Sequence, residues 1–117
     1  MKSNKFAITF PIFADYTVHI TVASDVVAAR KKMDSTIGFK YGGSPSEVAL
    51  HDYNDAGDAW LFFSPNPKAG TVAHESWHCV RKMLKWAGAG LDDEVVAYHL
   101  EFLVDEVTKH LLVKGGK

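Results

Sequence analysis

The chain has 117 residues, of which 47% are hydrophobic and 23% are charged, and its formal net charge is -1. This length and composition are ordinary for one globular domain, which we expect to span residues 1–117. The near-neutral charge, with no basic tail, argues against nucleic acid as a partner.

The first residues, MKSNKFAITFPIF, lack the long apolar core and cleavage site of a signal peptide. No apolar run in the sequence is long enough to cross a membrane, so we expect no membrane partner. Cys79 is the only cysteine, which rules out an internal disulfide. Together these features predict a cytoplasmic protein in which Cys79 is a small apolar core residue.

The N-terminal part of the chain alternates apolar and polar residues at residues 6–10 and again at residues 16–22. This period of two predicts two strands that form a hairpin with one buried face. Ser24 is then predicted to cap a short helix that ends near Asp34.

The middle of the chain contains a predicted loop at residues 39–47, which is rich in glycine and contains Pro45. Two more strands are predicted at residues 47–53 and 58–63. The turn between them is predicted at residues 54–57, where Asn, Asp and Gly favour a reversal.

From Thr71 onward the hydrophobic period changes to that of an amphipathic helix. Its apolar stripe is predicted to comprise Ala73, Trp77, Val80, Leu84 and Ala87. Thr71 is the predicted N-terminal cap, and the glycines at residues 88–90 are predicted to end the helix.

A final helix is predicted to begin at a cap formed by Asp92 or Asp93. Its buried stripe is predicted to comprise Val96, Leu100, Leu103, Val107 and Leu111. The predicted order is therefore strand, strand, helix, strand, strand, helix, helix. This order is typical of an α+β domain in which helices pack on a mainly antiparallel sheet.

The sequence HESWH, residues 74–78, carries the clearest chemical pattern in the chain. On a helix His74 and His78 lie one turn apart on the same face, so their imidazoles can converge on one cation. This spacing suits tetrahedral zinc, which binds nitrogen ligands at about 2.0–2.1 Å. Glu75 is offset by one residue and can take a proton from a zinc-bound water, then pass it to a leaving amine. The H-E-x-x-H pattern thus predicts metal-activated hydrolysis.

A catalytic zinc needs a third protein ligand, and the final helix offers three candidates. Glu94 is the first choice, because the start of an antiparallel helix returns only part of the way toward His78. His99 and Glu101 are the alternatives, with His99 about 140° round the helix from Glu94 and nearer the solvated side. Tyr98 is placed either to hydrogen-bond a ligand or the oxyanion, or simply to pack.

The segments HESWH and DDEVVAY make residues 59–105 resemble a zincin metallopeptidase of the gluzincin type in a minimal form. Small HExxH proteins encoded by phages and prophages are similar. DDEVVAY resembles the E-x-x-A-[DY] segment that supplies a glutamate ligand in such families. Nothing in the chain matches the third histidine or the Met-turn of metzincins.

The resemblance implies that His74, His78 and Glu94 are zinc ligands and that Glu75 is the general base and acid. It also implies an edge strand within residues 59–63 that would bind an extended peptide by strand addition. The larger enzymes carry a separate helical domain that this chain lacks. The substrate site would therefore be shallow, completed by a homodimer partner, or absent.

Three functions follow as hypotheses. The first is a zinc-dependent metallopeptidase-like hydrolase of a peptide or protein, with Tyr98 assisting at the oxyanion. The second is a non-catalytic binding module of zincin fold and phage type that occupies a host protein, with the segment AWLFF and Trp86 as contact surface. The third is a hydrolase of an amide or ester bond in a small molecule.

Overall fold

The computed structural model describes residues 3–37 and 49–115 of the chain. In chain order the elements are β1 (Ser3–Thr9), β2 (Thr17–Ala23), α1 (Val26–Ile37), β3 (Ala49–Tyr53), β4 (Asp58–Phe63), α2 (Ala69–Trp86) and α3 (Asp93–Gly115). This order confirms the predicted α+β class. The predicted loop at residues 39–47 and the first residues of the predicted third strand lie outside the described ranges.

The sheet has the strand order β1-β2-β4-β3. The pairs β1/β2 and β3/β4 are antiparallel hairpins, and β2 joins β4 in parallel, with Thr17 opposite Asp58 and Val22 opposite Phe63. The sheet is therefore mainly antiparallel, as predicted. The expectation of an edge strand within residues 59–63 is wrong, because β4 is hydrogen-bonded on both sides. In the described part of the chain the edges are β1 and β3.

Helices α2 and α3 cover one face of this sheet and enclose the main core. Alternation along the strands directs Val18, Ile20, Leu61 and Phe63 to this face, where none of them is exposed to solvent. The predicted stripe of α3 is confirmed. Its members Val96, Leu103 and Val107 are buried, while Leu100 and Leu111 pack against the same core.

Helix α1 covers part of the opposite face. Its cluster is small and comprises Val26, Val27 and Phe62, with Ala29, Met33 and Trp60 packed against them. Arg30 ties α1 to β3, since its Nε donates to Asp52 Oδ2 at 3.1 Å. On β1, Lys5 and Ala7 stay exposed, so this face is only partly covered.

The N-terminal caps of α1 and α2 differ from the prediction. Asp25, not Ser24, caps α1, because Asp25 Oδ1 accepts the N–H of Ala28 at 2.9 Å. Helix α2 begins before Thr71, and its N-cap residue, Lys68, makes no side-chain cap hydrogen bond. Ser, Thr and Asp are all good caps, so sequence alone does not choose between neighbouring ones.

Helix α2 is capped at its C-terminus by the glycine that follows it, as predicted. Gly88 has a φ of 73°, and its N–H donates to the Lys85 carbonyl at 3.1 Å. The N–H of Ala89 donates to the Leu84 carbonyl at 2.9 Å, which completes a Schellman motif. Asp92 then caps α3, as its Oδ1 accepts the N–H of residue 94 at 3.0 Å. This short connection brings α3 beside α2.

The apolar stripe predicted for α2 is partly wrong. The buried residues of α2 are Val72, Glu75, Ser76, Cys79, Val80, Met83 and Leu84. Trp77 is 40% exposed, and Ala87 is exposed as well. The helix is thus turned so that Glu75 and Ser76 enter the core while Trp77 leaves it. Burying the side chains of Val72, Cys79 and Met83 on this side favours that orientation.

Candidate functional site

The HESWH segment lies in the first half of α2, and its two histidines are neighbours as predicted. The ring centroids of His74 and His78 are 4.9 Å apart, with the ring planes at 71°. Two imidazoles that share a tetrahedral zinc at about 2.0–2.1 Å have centroids roughly 5 Å apart. The ring separation of the pair is compatible with two ligands of one zinc ion.

The carboxylate of Glu75 lies on the core side of this histidine pair. The His74 side chain is 68% exposed, whereas that of Glu75 is only 9% exposed. The distance from Glu75 Oε2 to His74 Nε2 is 3.9 Å, too long for a hydrogen bond but short enough for one shared water or ion between them. The helix thus opens the histidines to solvent and holds the carboxylate behind them.

The residues predicted on α3 occupy an exposed face of that helix. Glu94 is exposed in the first turn, Tyr98 is 58% exposed, and Glu101 is exposed one turn further on. Within residues 3–37 and 49–115, no group of three or more His, Cys, Asp or Glu side chains is arranged to hold a metal ion. The structure therefore brings His74, His78 and Glu75 together and does not add Glu94 or Glu101 to them.

His99 lies in the core, so the expectation that it faces the solvated side is wrong. The residue is only 3% exposed, and its ring centroid is 5.7 Å from that of Phe10 and 5.3 Å from that of Phe13. Nδ1 lies 2.8 Å from the Val95 carbonyl oxygen. Because a carbonyl only accepts, Nδ1 carries a proton, which leaves Nε2 as the acceptor of the neutral ring. No described group bonds to this buried Nε2, and His99 does not join the histidine pair.

Cys79 is a core residue, as predicted, despite its position next to His78 in sequence. Its side chain is 2% exposed. Burial raises the pKa of the Cys79 thiol from 9.0 to about 12. A thiol that stays neutral in this way is a poor nucleophile near neutral pH.

A row of basic residues beside His78 was not predicted from the sequence. Arg81, Lys82 and Lys85 follow His78 at three, four and seven positions, so they lie on the same side of α2. With His78 and the residues at 89–91 they line a cleft of about 280 Å³. The only acidic residue of α2 is the buried Glu75. The charged side chains that line this cleft are therefore all basic, which favours anionic groups there. The helical period, applied to charged residues, was the signal for it.

Two of these cations are held by aromatic rings. The Arg81 guanidinium carbon lies 5.7 Å from the Trp77 ring centroid, and Lys82 Nζ lies 4.2 Å from that of Tyr53. Both distances are within the range of cation–π attraction. The contact of Lys82 links the basic row to the end of β3.

Several of the aromatic residues expected to form a contact surface have structural roles. In AWLFF, residues 61–63 are buried. Trp86 Nε1 donates to the Asp55 carbonyl at 3.2 Å, and its ring meets that of Tyr16 at 5.2 Å. Gly57 has a φ of 97°, and a Cβ there would lie 2.9 Å from Trp86 Cζ2. Trp86 thus fastens the end of α2 to the β3–β4 turn.

Comparisons with protein-family models, with curated proteins and with solved structures give no match to this chain. No helix in the described ranges is both long enough and apolar enough to cross a membrane. The chemistry of the site therefore rests on its own geometry, namely the histidine pair, the buried carboxylate and the basic cleft.

Proposed function

We propose that this protein is a cytoplasmic metallopeptidase-like hydrolase in which His74 and His78 hold a zinc ion and Glu75 is the general base. The observation that carries the proposal is the 4.9 Å separation of the two imidazole rings, which matches two ligands of one ion. The bound ion would supply a Lewis acid for a peptide carbonyl and would acidify a water molecule.

The role of Glu75 follows from its position on the core side of the pair. Packed neighbours restrict the rotamers of a buried side chain, so its carboxylate has a fixed place 3.9 Å from His74 Nε2. From there it takes the proton of the attacking water and returns that proton to the leaving nitrogen. The basic cleft next to His78 would favour peptides with an acidic group on one side of the cleaved bond.

We assign Glu94 as the third ligand and Tyr98 as an aid at the oxyanion, since both lie on the exposed face of α3. The assignment requires the first turn of α3 to move toward His78 when the metal binds. Glu101 is the alternative on the same face. His99 would have to leave its aromatic surroundings in the core to serve instead.

The first test is the metal content of protein purified without added metal. We expect about one zinc ion per chain in the wild type and none in the His74→Ala, His78→Ala double variant. His110→Ala is the matched control, because His110 stacks on Phe6 with ring centroids 4.3 Å apart and belongs to no proposed site. A wild type that takes up no zinc on titration, or an equal loss in the control, would contradict the proposal.

The second test separates binding from chemistry. Glu75→Gln keeps the shape of the side chain and should retain zinc while losing hydrolysis of a peptide library by about a hundredfold or more. Glu94→Gln should weaken zinc binding by about tenfold, and Glu101→Gln should not. Equal zinc affinity in these last two variants would exclude Glu94 as the third ligand.

A second candidate function is the non-catalytic binding module acting on a host protein. The observation that favours it is the exposure of Trp77, Leu91 and Tyr98, large apolar side chains on α2, α3 and their connection. For a binder, Glu75→Gln would leave the cellular function unchanged, whereas Trp77→Ala would remove it. The hydrolase predicts a loss of function with Glu75→Gln.

A further inference from the structure

The face of the sheet opposite α2 carries a groove with a volume of about 550 Å³. We refer to it as the α1 groove, and its principal lining residues are Lys5, His19, Thr21, Lys32, Met33 and Trp60. Strands β1, β2 and β4 form its floor, and α1 forms one wall. The volume lies within the range of small-molecule sites, about 300–1,000 Å³.

The strand register explains why these side chains meet. His19 on β2 lies opposite Trp60 on β4, and Thr21 lies opposite Phe62. Lys5 on β1 pairs with Thr21. Because side chains alternate between the faces of a strand, these residues all project to the same side as the groove. The floor therefore combines the aromatic residues Trp60 and Phe62 of β4 with the polar residues His19 and Thr21 of β2.

The ring of His19 is held in place by a hydrogen-bonded chain. His19 Nε2 lies 3.0 Å from Asp58 Oδ1, and Asn54 Nδ2 donates to Asp58 Oδ2 at 3.3 Å. A carboxylate only accepts, so Nε2 carries the proton and Nδ1 is the acceptor of the neutral ring. The His19 ring also stacks on Trp60, with centroids 5.4 Å apart and planes at 18°. These contacts hold the His19 and Trp60 rings nearly parallel to each other.

Two of the described residues that line the α1 groove carry a lysine side chain. Lys5 on β1 and Lys32 on α1 are both exposed and line the groove from two different elements. None of the described lining residues is acidic, and the Asp58 carboxylate is already engaged by His19 and Asn54. Met33 and Phe62 add apolar side chains to the lining. Such a site attracts an anion that also carries an apolar body.

We infer that the α1 groove binds a small organic anion, a planar aromatic body with a carboxylate or phosphate group. The body packs against the Trp60–His19 ring pair, and the anionic group lies between Lys5 and Lys32. A ligand of this kind uses both the stacked rings and the two cations. The groove lies on the other face of the sheet from the histidine pair, so this site is independent of the proposed hydrolase.

The test uses three probes with the same aromatic body and is made on the full chain by isothermal titration calorimetry. Naphthoate and naphthyl phosphate are the anions, and naphthylmethylamine is the matched cation. We expect at least one anion to bind saturably and about tenfold or more tightly than the cation. Absence of saturable binding by both anions, or equal affinity for the cation, overturns the inference.

Two neighbouring lysines on α1 provide matched variants. Lys32 lines the groove and Lys31 does not, yet Lys32→Glu and Lys31→Glu change the net charge equally. We expect Lys32→Glu to weaken anion binding by about tenfold and Lys31→Glu by less than about threefold. Equal weakening would show that the anion responds only to the overall charge of the protein, and it would overturn the proposed site. The His74→Ala, His78→Ala variant should bind the anion like the wild type, which separates this result from the fate of the hydrolase proposal.

Discussion

The two faces of the sheet share their strands but are closed to different degrees, and two histidines show what this does to a polar group. On the face covered by α2 and α3, His99 is sealed among aromatic rings and its Nε2 has no partner among the described residues. On the α1 face, His19 is partly exposed and its ring is fixed by Asp58. A polar group in the sealed core affects only the stability of the fold, whereas a polar group on the open face is also available to a ligand.

This contrast also separates the two candidate sites. The histidine pair of α2 lies at the outer border of the sealed face, and Glu75 beside it is turned inward. The α1 groove exists because α1 leaves part of its own face uncovered. Substitutions on the sealed side should therefore change the free energy of unfolding, and substitutions in the groove should change binding alone.

The largest expected effect concerns the reactivity of Cys79 on the sealed face. Burial raises the pKa of its thiol from 9.0 to about 12. Below pH 9 the thiolate fraction of the folded protein is therefore about a thousandfold smaller than that of the unfolded protein. The native protein should react with a thiol reagent about a thousandfold more slowly than protein unfolded in urea. A native rate within tenfold of the unfolded rate would show that this face is not sealed.

The same shift of pKa has a consequence for stability at alkaline pH. Because the folded pKa is above the unfolded one, the neutral thiol contributes stability that is complete below pH 9.0 and is lost as the pH rises toward about 12. Cys79→Ala should make the free energy of unfolding less dependent on pH in that window. The measurement is urea unfolding at several pH values for both proteins.

The next effect is the loss of a large side chain from the sealed core. Leu61 is fully buried, and Leu61→Ala should lower the free energy of unfolding by about 2–5 kcal/mol. Lys5→Glu, in the α1 groove, should change it by less than about 0.5 kcal/mol. Urea unfolding of the two variants measures both free energies. Similar losses in both variants would contradict the expected difference between the two faces.

A smaller effect is expected where Trp86 closes the border of the sealed face. Gly57→Ala should cost about 1–3 kcal/mol, because Gly57 has a φ of 97° and the new Cβ would meet Trp86 at 2.9 Å. Gly70 has no other atom within 4 Å of its Cβ position. Gly70→Ala should therefore stabilise the protein by about 0.4–1 kcal/mol. Thermal unfolding of both variants should show shifts of opposite sign.

A gain of similar size to that of Gly70→Ala is expected from removing a buried polar atom. The Ser76 hydroxyl is buried in α2 and has no hydrogen-bond partner among the described residues. Ser76→Ala should raise the free energy of unfolding by about 1 kcal/mol, because it removes an unsatisfied group and improves helix propensity. A fall in the melting temperature would show that the hydroxyl is bonded in solution.

Local chemistry made much of the fold predictable. The alternation of β1 and β2, the glycine that ends α2 and the cap at Asp92 are each set by residues close in sequence. The neighbourhood of His74 and His78 is of the same kind, since it needs only one helical turn. The metal role of that pair stays a prediction.

Tertiary packing decided the features that sequence did not predict. The parallel pairing of β2 with β4, which makes β4 internal, joins residues far apart in the chain. The rotation of α2 was hidden because the polar residues Glu75 and Ser76 occupy buried positions, while Trp77, the largest apolar side chain nearby, does not. His99 was misplaced for the same reason, since a polar residue interrupts the apolar pattern of α3.

The pairing of β2 with β4 also sets the order in which the chain can fold. Each antiparallel hairpin needs only local contacts, which form in about 1–10 μs, whereas joining the hairpins closes a long loop and is slower. His19 comes from one hairpin and Trp60 and Asp58 come from the other. The α1 groove therefore arises only when the two halves meet. An anion bound there should slow unfolding, and stopped-flow kinetics with naphthoate would reveal it.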